Sequence, residues 1–141
     1  MKTKILIISL IFCGFFNPTS AQKVKIKKGV AYVNGKEYLG IKNDPVLNIS
    51  QVNIYDLQDS ILLNCKVVYY YLVNVPIYYY EIRQASSDSL LFECMADTKQ
   101  FIRYLYNGKV IKFDGTIDGD RLDSIAKQLG KEHTRLRKEL N

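Results

Sequence analysis

Residues 60–84 read SILLNCKVVYYYLVNVPIYYYEIRQ. Two runs dense in Val, Ile, Leu and Tyr bracket Asn74-Val75, and β-branched and aromatic residues suit a pleated, half-buried surface. The stretch predicts a long antiparallel hairpin. With Asn74-Val75 as the loop, Tyr71 faces Tyr78, Tyr70 faces Tyr79 and Tyr69 faces Tyr80. Side chains alternate across a strand, so Tyr69, Tyr71, Tyr78 and Tyr80 share one face while Tyr70 and Tyr79 take the other. Pro76 cannot donate a ladder hydrogen bond, so a wider turn with a slipped register is the alternative.

Outward from the hairpin the text stays strand-like on both sides. Lys23 to Lys28 alternates basic and apolar residues, as suits an edge strand whose charges discourage pairing with other chains. Val30 to Val33 and Lys36 to Ile41 flank Asn34-Gly35, two residues that tolerate the positive φ of a type I′ turn. Asn43-Asp44-Pro45 marks a loop, and Ile49, Val52, Ile54 and Leu57 belong to a further strand. After the polar break Ala85 to Ser89, Leu90 to Met95 forms another.

Beyond Met95 the apolar period lengthens. Asp97 with Gln100 three positions on has the form of a capping box. Phe101, Ile102 and Leu105 follow at helical spacing, and Asn107-Gly108 stops the helix. Asp118 or Asp120 caps a second helix striped by Leu122, Ile125, Ala126 and Leu129 and ended by Gly130. Strands first and helices last predict an α+β fold: an antiparallel β-meander of about six strands followed by two short C-terminal helices. Residues 22–130 form the single domain, and residues 131–141 read as a charged C-terminal tail in which Leu136 and Leu140 suggest a loose, fraying helix.

The 141-residue chain is 48% hydrophobic and 24% charged, the balance of a packed domain rather than a disordered one. Its first 21 residues have the form of a secretory signal peptide. Lys2 and Lys4 precede the 12-residue apolar run Ile5 to Phe16, Asn17-Pro18 breaks it, and Thr19-Ser20-Ala21 offers small residues, with cleavage between Ala21 and Gln22. Twelve residues span about 18 Å as a helix, short of the roughly 30 Å bilayer core, so no transmembrane segment is expected in the mature chain. Cys13 lies in the run, but Phe12 stands where a lipobox needs a small residue. Residues 22–141 carry 18 basic and 14 acidic side chains.

The mature chain keeps Cys65 and Cys94. An oxidising compartment invites a disulfide between them. In a meander they sit on strands separated by a third, roughly 9–10 Å apart, beyond the usual reach of a disulfide; the pairing is left open. A lone His133, in the charged tail, provides neither a metal cage nor a catalytic pair, so no metal, cofactor or catalytic residue is assigned. Asp114 to Asp120 resembles a calcium loop until the twelfth position, Ile125, is reached, where a bidentate Glu belongs. Glu81 and Glu93 fall on neighbouring strands, but no spacing implies a cleft between them. Asn48-Ile49-Ser50 fits an N-glycosylation pattern, and Asp-Ser pairs at 59–60, 88–89 and 123–124 read as turn and helix openers.

The end of the leader (Thr19-Ser20-Ala21-Gln22), the strand text from Gly29 to Tyr38, and the closing pattern from Leu105 through Asp114-Gly115-Thr116-Ile117-Asp118 resemble small uncharacterised exported proteins of Gram-negative bacteria. The resemblance implies a periplasmic or secreted address and supplies no functional residues.

These readings point to an exported, non-enzymatic binding or interaction module of the cell envelope. Its candidate ligand-binding residues are Tyr69, Tyr71, Tyr78 and Tyr80, since aromatic rings on an open sheet stack on sugars or apolar surfaces and the hydroxyl orients them. An envelope glycan, a peptide or a partner protein is the expected ligand; nucleic acid is not. The alternatives are a small secreted hydrolase, and an inhibitor or accessory subunit acting through a strand edge.

Overall fold

The computed structural model describes residues 22–43 and 51–140. The leader, the cleavage position at Ala21 and the Asn48-Ile49-Ser50 pattern lie outside the described residues. Within them, seven strands form one antiparallel meander in chain order: β1 Val24–Lys27, β2 Val30–Val33, β3 Lys36–Asn43, β4 Gln51–Tyr55, β5 Ile61–Leu72, β6 Val75–Gln84 and β7 Leu90–Cys94. Three helices follow, α1 Thr98–Asn107, α2 Gly119–Leu129 and α3 Glu132–Leu140. The α+β meander is as the sequence predicts, with one more strand and one more helix. Lys28-Gly29 turns at φ 49° and 75° and folds the expected edge strand, β1, back on β2, as Asn34-Gly35 folds β2 back on β3 at 52° and 84°.

The core lies between one sheet face and the helices α1 and α2. Leu39, Ile54, Leu63, Ile82 and Phe92 from the strands meet Ile102, Leu105 and Leu122 from the helices, all buried. Asp97 caps α1, its carboxylate accepting from Gln100 N at 2.8 Å. Only that half of the capping box forms, because the Gln100 amide donates forward to Tyr104 Oη at 3.0 Å. Gly108 ends α1 with ordinary right-handed φ, −70°, and the left-handed residue is Lys109 at 52°. Glycine is required at 108 for space: a Cβ there would sit 2.8 Å from Ile125 Cδ1 on α2.

The chain then rounds the β7 edge, where Glu93 N donates to Gly130 O at 3.0 Å. This carries α3 to the opposite sheet face, over a second small core of Val68, Tyr70 and Tyr79 with Leu136. The residues read as a charged tail are therefore a docked helix. Their apolar stripe is thin, so sequence periodicity understates them; buried carboxylates described below supply the attachment.

Candidate functional site

Among the described residues, β4 pairs with β5 only as far as Lys66, and β7 pairs with β6 only from Tyr80 to Arg83. Within the described residues the hairpin continues past both neighbours, and residues 67–79 form a two-stranded arm among them. From Val67 to Tyr80 no residue is charged.

The observed register differs from the expected one by two residues. Tyr69 faces Tyr78, Tyr70 faces Ile77, Tyr71 faces Pro76 and Leu72 faces Val75. The turn is Val73-Asn74, with φ of 48° and 64°. Pro76 explains the choice. In a two-residue hairpin the pair that closes the turn exchanges hydrogen bonds, and an Asn74-Val75 loop would put Pro76, which has no N–H, in that pair. Moving the turn back by one residue gives the closing position to Leu72 and Val75. Pro76 then falls in the next, non-bonded pair, where a missing donor costs nothing. A shift of two residues preserves side-chain parity, so the tyrosines keep their predicted faces.

Exposure separates the four candidates. Tyr69, Tyr71 and Tyr78 are 55%, 59% and 58% exposed. The Tyr69 ring lies 5.9 Å from Tyr71 and 5.7 Å from Tyr78. Tyr80 departs from the group: it lies level with Val67 and Cys94 and is half-buried against the main core. The tip adds exposed aliphatic groups, Leu72, Val75 and Val73, the last 87% exposed. Tyr70 and Tyr79, on the other face, are buried beneath α3.

The two buried acids lie beside this second core. Glu81 and Glu93 are directly opposite on β6 and β7 and are 2% and 3% exposed. Like charges so placed repel, and each is neutralised differently. Glu81 receives Arg83 Nη2 at 2.7 Å and Arg137 Nη2 at 3.0 Å. Glu93 accepts from the backbone N–H groups of His133 at 2.7 Å and Thr134 at 2.8 Å. Those donors have no partner within a helix's first turn, and the helix dipole favours an anion there, so a strand carboxylate caps α3. His133 stacks on Tyr79 at 5.0 Å and its Nδ1 lies 3.1 Å from Tyr70 Oη. Burial pushes the Tyr79 phenol above its ordinary pKa. Both acids are held against α3 and saturated with donors, which is the chemistry of a clasp, and Glu93 also borders a pocket of about 400 Å³ lined by Cys94, Gln100 and His133.

Cys65 and Cys94 are both buried free thiols. They occupy β5 and β7 with β6 between them, and burial raises the pKa of each. The Asp114–Asp120 segment is a turn whose Asp114 carboxylate accepts from Thr116 N at 2.9 Å, with Asp118 capping α2. No cluster of three metal-ligating side chains occurs among the described residues. A pocket of about 440 Å³, unforeseen from the sequence, opens beside Tyr38, Tyr106 and Phe113, with Lys109, Lys112 and Arg121 in its lining. Its Tyr38 hydroxyl is tied to Ile111 O at 2.6 Å. Among the described residues no helix is long and apolar enough to cross a membrane. Comparison with family models, curated proteins and solved structures finds no match.

Proposed function

We propose that this chain is an exported, non-enzymatic binding module of the cell envelope, and that the β5–β6 arm is its contact element. The observation that carries the reading is the joint exposure of Tyr69, Tyr71 and Tyr78 on an arm that outruns its neighbours. Stability does not require this display: exposed cross-strand tyrosine pairs contribute only about 0.2–1 kcal/mol each, and large apolar groups grouped at a surface mark contact sites. The form of residues 1–21 supports export. Glu93 borders a pocket of about 400 Å³ that Cys94, Gln100 and His133 also line, but both of its oxygens are engaged by the His133 and Thr134 N–H groups and Glu81 is paired with Arg83 and Arg137. The hydrolase alternative, which needs a carboxylate free to act on substrate, is the weaker reading.

The strand-edge reading is favoured by a separate feature of the same arm. Among the described residues, the outer edge of Val75–Tyr79, past the end of β7, has no strand partner, so its backbone groups can accept an added strand.

The test is the triple variant Tyr69→Ser, Tyr71→Ser, Tyr78→Ser, assayed for co-sedimentation with the envelope fraction. Loss of binding with an unchanged circular dichroism spectrum is expected. Undiminished binding by the folded variant removes the arm as the contact element.

A further inference from the structure

We infer that the partner of the arm is a lipid surface, into which the tip inserts aliphatic end first. The inference rests on the reading of the arm as the contact element and names what it touches.

Apart from the Asn74 amide in the turn, the exposed side chains of the tip are apolar and lie on both faces. Leu72 and Val75 project on the α3 face, Tyr71 and Pro76 on the other, and Val73 stands at the apex, all of them exposed. A flat protein partner covers one face of a ribbon, whereas a lipid phase surrounds the end of it. On the tyrosine face alone, three rings little more than half exposed offer on the order of 300–400 Å², below the roughly 800 Å² per partner of a standard protein interface; the exposed Leu72, Val73 and Val75 add area at the apex and on the other face. The arm is narrow for a stable dimer, and insertion into lipid sets no such threshold.

The apolar groups are also layered. Tyr71 pairs with Pro76 two residues behind the apex, which is about 7 Å at the rise of a strand. Interfacial elements bury themselves about 5–10 Å into the boundary between headgroups and acyl chains. Tyr69 and Tyr78 stand two residues further back. That sets them at headgroup level, where the amphipathic tyrosine ring is favoured. Aliphatic residues therefore lead and phenols follow, in the order a bilayer presents hydrocarbon and interface. The helix on the arm's other face carries the exposed cation Lys138, and the mature chain is basic, which suits anionic headgroups.

Val73 supplies an independent indication. It is β-branched and holds φ at 48°, a region such residues rarely adopt, and it is 87% exposed. Asn or Gly would make the turn without strain. At 87% exposure the valine side chain packs little against the described residues, as suits a group presented outward.

The protein has no tryptophan, so one introduced at the tip is a unique reporter. Full-length chains carrying Val73→Trp or Leu57→Trp are mixed with vesicles of phosphatidylethanolamine and phosphatidylglycerol. Leu57 is an exposed residue of the β4–β5 turn, at the opposite end of β5. Any attachment through residues 1–21 brings both reporters to the membrane equally. The inference predicts blue-shifted emission, quenched by acyl-brominated lipid, for Val73→Trp alone. It also predicts that Val73→Asp with Val75→Asp lowers the vesicle-bound fraction of the chain lacking residues 1–21 by about tenfold or more, read by co-sedimentation. Unshifted Val73→Trp emission, or an equal shift in both reporters, overturns the lipid partner. In that event the tyrosine triple variant decides separately. Its loss of envelope binding keeps the arm as the site for a protein or glycan, and its retained binding removes the arm altogether.

Discussion

Replacing Glu93 with Ala tests how α3 is held. The substitution removes two short hydrogen bonds, from His133 N at 2.7 Å and Thr134 N at 2.8 Å, to a carboxylate that is 3% exposed. Bonds to a charged group are worth about 1.5–3 kcal/mol each. Two effects offset the loss. Removing the charge opposite Glu81 returns up to about 1 kcal/mol, and the bared N–H groups belong to half-buried residues that water can reach. The net cost to α3 docking is therefore about 2–4 kcal/mol, a factor of roughly 30 to 1,000 in the docking equilibrium. A nine-residue helix does not stand alone in water, so α3 undocks and frays while the meander and its main core persist. Native-state hydrogen exchange reads this directly: protection of the α3 amides falls by that factor, and the Ile54, Leu63 and Ile82 amides keep theirs. Tryptic cleavage after Arg135 and Arg137 accelerates in parallel. Unchanged α3 protection, or simultaneous loss of protection in the central strands, refutes the clasp.

Val73→Asn relieves the left-handed strain and stabilises the domain by about 1 kcal/mol, seen as a thermal midpoint a few degrees higher, while weakening vesicle binding. Gly108→Ala drives a methyl to 2.8 Å from Ile125 Cδ1 and 3.0 Å from Tyr104 O; it destabilises by about 1–3 kcal/mol, measured by urea denaturation. Cys65 and Cys94 resist a thiol reagent in the native state and react in guanidinium. Their raised thiol pKa values mean that the stability they contribute is fully present below the ordinary value of 9.0 and is lost as pH rises above it, so the denaturation midpoint falls on the alkaline side.

Strand text and turn chemistry made the meander legible. Asn34-Gly35 and the 60–84 hairpin are local signals, and alternation places Tyr69, Tyr71 and Tyr78 on one face whichever even register shift the turn adopts. The turn position was legible only by asking which backbone group Pro76 lacks. Tyr80 shares the parity of the exposed tyrosines but not their exposure, because where β7 stops is a tertiary fact. The docking of the third helix, which the sequence suggests only as a loose one, escaped for a related reason. Its stripe offers Leu136 against strand residues more than fifty positions away, and its cap is a glutamate on β7, so no window of local sequence contains the interaction. The pocket beside Tyr38 likewise gathers residues from β3, α1 and the start of α2.

Hydrogen exchange of the protein bound to envelope vesicles tests the central claim most directly. Added protection confined to residues 67–79, with the Tyr38 pocket and the β1 edge unchanged, is the predicted footprint. Protection elsewhere with the arm exchanging as in the free protein contradicts it.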